Sequence, residues 1–146
     1  VISISVVGGP GLGSLSVDQT LETAVFISLF TNRLAATDDT LPNLGGSRQG
    51  WWADAYADQE GTHIGSRLWL LGRSTNTGEI VNDARTYVRE ALQWLVDDGI
   101  ADRVDCNVEV KNYSAGALLL AIQPLVYKLG QATPYTSLWQ MTITAP

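Results

Sequence analysis

In "EIVNDARTYVREALQWLVDD", residues 79 to 98, apolar side chains return every three or four positions: Ile80, Ala84, Tyr87, Val88, Ala91, Leu92 and Leu95. That spacing aligns one face of a helix and predicts an amphipathic helix from about Glu79 to Asp98, with Gly99 as its stop. An earlier stretch, about Leu21 to Leu34, also has helical character. There Leu21, Ala24, Val25, Ile27, Leu29 and Phe30 leave the helix apolar nearly all round, so it is covered on more than one side, by its own domain or by a neighbour. Ser16 with Gln19 has capping-box spacing ahead of it, and Asp18 is an alternative cap.

Elsewhere the period is two. "VISISVV" at residues 1–7 reads as a short strand. In "VDCNVEV", Val104, Cys106, Val108 and Val110 face one way and Asp105, Asn107 and Glu109 the other, the mark of a strand with one wet face. "NYSAG" is a hairpin connection, "ALLLAIQ" a second strand ended by Pro124, and "SLWQMTIT" a third with Trp139, Met141 and Ile143 on one face. Of the remaining segments, "GGPGLGS" is a turn, and residues 35–50, "AATDDTLPNLGGSRQG", form a polar loop whose length implies that it is either functional or covered in an assembly. "WWADAYAD" starts a short helix, and Ser66 caps another through "RLWLLGR". The expected fold is α+β: an N-terminal strand, central helices and a small C-terminal antiparallel sheet, in a single domain spanning residues 1–146.

Composition narrows the function. With 45% hydrophobic and 16% charged residues the chain has the makings of a packed core. A net charge of −6, with basic residues scattered, argues against nucleic acid and anionic membranes as partners. No apolar run has the length to span a bilayer, and no signal-peptide pattern is present. The single cysteine, Cys106, excludes an internal disulfide and fits a reducing compartment.

Catalytic patterns are sparse. His63 is the only histidine and sits in the glycine-flanked turn "EGTHIGS", which favours a capping or solvent-facing role. Cys106 lies on the apolar face of its strand, as a core thiol does. "GGSRQG" lacks the second glycine of a nucleophile elbow, and "GGPGLGS" lacks the third glycine of a dinucleotide turn. The carboxylate pairs Asp38–Asp39 and Asp97–Asp98 fall in a loop and on the last helical turn, while Glu22 and Glu90 stand alone on helices. No catalytic, metal-binding or cofactor-binding residue is expected, and no cofactor.

Three stretches have distinctive wording: "LETAVFISLFTNRLA" from Leu21, "RQGWWADAYAD…GSRLWLLGR" over 48–73, and "ARTYVREALQWLVDDGIA" over 84–101. In this order and spacing they resemble the Mu-type phage baseplate wedge or sheath-initiator family, over about residues 16 to 110. The family pattern carries a second arginine where this chain has Asn32-Arg33-Leu34 and Arg48-Gln49. The resemblance implies a non-enzymatic structural protein of a contractile tail baseplate, from a phage, a prophage or a tail-like particle. It further implies binding to neighbouring wedge, tube and sheath proteins, help in starting sheath assembly, oligomerisation in the assembled tail, and a virion location after assembly in the host cytoplasm. Some relatives carry a lysozyme label, so a tail-associated cell-wall glycosidase using an Asp/Glu pair is the competing reading. A stacking platform for a small ligand on Trp51 and Trp52 is a third.

The residues offered for a protein–protein interface are Arg48, Trp51, Trp52, Arg33 and Trp139. Arg and Trp are enriched in interface hot spots. Of the adjacent tryptophans, one is expected to anchor the core and the other to lie near an assembly surface. "SLWQMTIT", last in chain order, is expected at a sheet edge, where a neighbour could add a strand.

Overall fold

The computed structural model describes residues 2–7, 17–41, 47–48, 64–73, 76–114 and 117–144. In chain order these form β1 (Ile2–Val7), α1 (Val17–Phe30), a 3-10 helix (Leu68–Arg73), α2 (Thr77–Asp97), β2 (Ala101–Ser114), β3 (Ala117–Lys128), β4 (Tyr135–Thr136) and β5 (Leu138–Thr144). The fold is α+β, with an antiparallel sheet in the order β1-β5-β3-β2 and β4 paired to β3.

The α2 helix follows its sequence pattern closely. Its buried residues are Ile80, Ala84, Tyr87, Val88, Ala91, Leu92 and Leu95, the stripe expected from the periodicity. Asn76 caps the start by accepting from the Gly78 amide at 3.0 Å. The end is a Schellman motif: the Ile100 amide donates to the Leu95 carbonyl, the Gly99 amide to that of Val96, and Gly99 takes φ +74°. The buried stripe packs on the sheet, chiefly on β2.

The sheet's helix-facing surface alternates as a strand should. Cys106 and Val108 of β2, Leu118, Leu120, Ile122 and Val126 of β3, and Trp139, Met141 and Ile143 of β5 are all buried. The register aligns them, with Ile122 opposite both Val108 and Trp139. A shift between Val110 and Asn112 marks a bulge in β2.

Three expectations need correction. Pro124 does not end its strand: β3 continues to Lys128 with Pro124 opposite Cys106. The proline is tolerated because its missing N–H falls where β3 changes partner. Ile122 pairs with Trp139 of β5 and Leu125 with Thr136 of β4, so the interruption of the ladder lies at Ser137. Second, β5 is no edge. It lies between β1 and β3, with its backbone engaged on both sides, so it cannot accept a neighbour's strand there.

The third correction concerns α1, which occupies Val17–Phe30 and stops short of Leu34. After the Thr31 amide bonds to Ile27, the chain is captured by a short parallel bridge between Asn32 and Ser66. The Ser66 amide donates to the Thr31 carbonyl at 2.9 Å and the Arg33 amide to the Ser66 carbonyl at 3.0 Å. Gly65 makes this approach possible: at φ +107° a Cβ would stand 2.3 Å from the Thr31 carbonyl oxygen. Ser66 acts as expected at the next helix, accepting from the Leu68 amide at 3.3 Å, and its hydroxyl also donates to the Leu29 carbonyl. The capping by Ser16, the side chain of Asp18 and the helix at "WWADAYAD" lie outside the described residues.

Candidate functional site

The two helices meet where Ser28 of α1 touches Trp94 of α2, and beyond the end of α1 Arg33 reaches Glu90 of α2. Val25 and Leu29 of α1 point inward and are fully buried. Its outer row does not bury, leaving Phe26 at 41% and Ile27 at 47% exposure. Between α1 and α2 this leaves a groove of about 850 Å³, lined by Ala24, Ile27 and Ser28 from one helix and by Ala91, Trp94 and Asp98 from the other. Ile64 and Arg33 lie at its end. Trp94 is 37% exposed, yet its indole is fixed: Nε1 donates to Ser28 Oγ at 2.9 Å, and that hydroxyl donates to the Ala24 carbonyl at 2.7 Å.

A cluster of charges holds the frame around the groove. The Arg67 guanidinium donates to both Asp39 oxygens at 2.9 and 3.1 Å and to Glu90 Oε2 at 3.0 Å, and lies 4.9 Å from the Tyr87 ring centroid. Arg33 Nη1 stands 3.5 Å from the other Glu90 oxygen. Burial opposes the charge on Arg67, but the hydrogen bonds to Asp39 and then Glu90 outweigh it and raise its affinity for the proton. The cluster thereby ties the loop after α1 and the start of the 3-10 helix to α2.

The interface residues expected from sequence separate here. Arg33 borders the groove, and its carbonyl accepts from Trp69 Nε1 at 2.9 Å. Arg48 folds back, its guanidinium donating to the Ala36 carbonyl and its own carbonyl accepting from the Ala35 amide at 3.1 Å. Trp139 does not face solvent. It is 2% exposed, its ring lying 5.5 Å from that of Phe26 and 5.4 Å from that of Phe30, with Nε1 donating to Ser137 Oγ. Its size and apolar character find a place against α1, within the chain. Trp51, Trp52 and His63 lie outside the described residues.

Sequence reasoning missed Trp94, Ser28 and Arg67. The available signal was Trp94 itself, a large aromatic off the α2 stripe. Arg67 gave none, since its partners stand 28 and 23 positions away. Catalytic chemistry gains no support from the arrangement. Asp39 and Glu90, which the fold brings together, are both engaged by Arg67. Asp97 and Asp98 stand exposed at the end of α2. Burial pushes the Cys106 thiol up to about 12, the opposite of an activated nucleophile. Among the described residues no group of His, Cys, Asp and Glu side chains is placed to hold a metal ion, and no helix is long and apolar enough to cross a membrane.

Comparison with known proteins agrees with this frame. Residues 21–130, from α1 through β3, match the family described as Phage protein GP46. The chain is 43% identical over 118 residues to "Baseplate protein gp46" of Escherichia phage Mu, covering 81% of this chain and 77% of that protein. It is also 43% identical over 112 residues to "Mu-like prophage FluMu protein gp46" of Haemophilus influenzae, covering 77% of this chain and 73% of the relative. The residues lining the groove and the strands β2 and β3 thus fall within the matched region, β1 and β5 outside it, and the chain belongs to the GP46 family of phage proteins.

Proposed function

We propose that this protein is a structural component of a phage tail baseplate. The observation that carries the reading is the 43% identity to a Mu protein named for the baseplate, over about four-fifths of this chain. A surface suited to assembly supports it: an apolar groove beside a braced frame, with catalytic chemistry poorly provided for. The cell-wall glycosidase has no comparable support, because the carboxylates brought together are ion-pair partners of an arginine.

The finer reading belongs to the same proposal. The chain acts as one non-enzymatic domain over residues 1–146, a wedge-like part of a contractile tail. It binds neighbouring wedge, tube and sheath proteins and helps begin sheath assembly, entering the virion from the host cytoplasm. Arg33, at the groove, and Arg48, Trp51 and Trp52, in or beside the segment leading to Ile64, are its proposed contact residues. Trp139 serves indirectly by holding α1 on the sheet.

Deleting the gene from its phage or prophage and restoring it in trans tests the reading. Electron microscopy should show loss of sheathed tails on deletion and recovery with the wild-type chain, and the chain should be found at the baseplate. Sheathed tails of normal number without the protein would overturn it. Sustained peptidoglycan cleavage by the purified chain, abolished by one Asp or Glu substitution, would install the enzyme in its place.

A further inference from the structure

The groove between α1 and α2 is unequally charged along its length. At the Arg33 end Glu90 is neutralised by Arg33 and Arg67, and Arg89 is held by Asp105 at 2.6 Å. At the opposite end Asp97 accepts from Gln93 Nε2 at 3.1 Å, but among the described residues neither Asp97 nor Asp98 has an ion-pair partner. No basic residue lies in the last turn of α2. Carboxylates at that position oppose the helix dipole, whose negative end is the C-terminus. Between the two ends lie half-exposed Ile27, Ile64 and Trp94. Trp94 is already oriented by Ser28, so its ring can be covered with little further ordering.

We propose that this groove docks an apolar segment of a different tail protein, flanked by Lys or Arg side chains that meet Asp97 and Asp98. Charge selects this occupant over a second copy of the chain. Two copies each carrying −6 repel, and the groove's uncompensated charge is itself acidic. A space of about 850 Å³ admits a few large side chains, as an anchored segment presents. The inference rests on the baseplate reading and names the chemistry of a partner for it.

The test places a photoreactive p-benzoylphenylalanine at Ile27, at Gln93, or at Thr86, an exposed position of α2 outside the groove lining. Tails are purified from phage in which the labelled chain is the only copy, irradiated, and the linked peptides sequenced by mass spectrometry. Links from Ile27 or Gln93 are expected to reach a different protein, in a segment combining apolar residues with Lys or Arg, and Thr86 should not give them. Adding Asp97→Lys and Asp98→Lys should cut the yield about tenfold, while thermal unfolding of the purified chain is not lowered, because Lys at that end of α2 favours the helix dipole. Links to a second copy, links to an acidic segment, or a yield indifferent to the charge reversal would overturn the inference. So would tails that contain the chain but give no groove link at either position. Tails assembled without the chain would overturn the baseplate reading, and the inference with it.

Discussion

The helices α1 and α2 solve different problems with similar residues. In α2 the apolar positions form one stripe, and that stripe is buried against the sheet. In α1 they occur on several sides, and among its described apolar side chains only the row through Leu21, Val25 and Leu29 is fully taken up by the core. Phe26 finds Trp139 and Phe30, while Ile27 is left half exposed at the groove. A stripe that its own core consumes reports on folding. A second apolar row beside it is a surplus that folding does not explain, and here it coincides with the groove.

Substitutions can break this comparison. The largest effect is expected at the inner rows, where Leu92→Ala or Leu29→Ala should each lower stability by about 3–4 kcal/mol in urea unfolding. A markedly smaller loss for Leu29 would mean that α1 is only loosely seated. Gly65→Ala forces a side chain into the Thr31 carbonyl at positive φ and should cost about 3 kcal/mol, seen as a lower midpoint with an unchanged urea slope. Arg67→Met removes the tie between Asp39 and Glu90 and should cost about 2 kcal/mol, between the values for exposed and fully buried pairs.

Smaller effects sharpen the contrast. The Cys106 thiol is raised in the folded chain, so its contribution is fully present below the unfolded thiol range and declines as pH rises toward about 12. Between pH 8 and 10 the loss should be about 1.5 kcal/mol, and Cys106→Ala should flatten that part of the profile. Smallest of all, Ile27→Ser on the outer row should change stability by about 0.5 kcal/mol or less. The same substitution should reduce tail incorporation in the complementation assay. A stability loss matching that of Leu29→Ala would erase the distinction between the rows.

Much of the frame was legible in the residue pattern because it depends on local periodicity. The α2 stripe, the Gly99 stop and the alternation of β2 each follow from side-chain spacing. What failed depended on pairing. Pro124 reads as a terminator until the partners on both sides of β3 are known. "SLWQMTIT" reads as an edge because it comes last, whereas β1 covers its other side. Trp139, offered as a contact, is a core residue because Phe26 and Phe30 of α1, distant in sequence, pack on its ring. The site was harder still. Trp94 declared itself only by lying off the stripe, and the groove exists because residues of α1, the segment at Ile64 and α2 converge from distant parts of the chain.

The bridge between Asn32 and Ser66 has a consequence for how this chain can diversify. It brings together two points of the backbone that are far apart in sequence, and the approach depends on Gly65. The entropic cost of joining two such points grows only slowly with the number of residues between them, about 0.6 kcal/mol for each doubling. The junction is therefore governed by the residue at position 65 far more than by the count of residues between the joined points. A lineage can change that count at little cost to the junction, but cannot replace Gly65 without moving the exit of α1 and the entry to the 3-10 helix together.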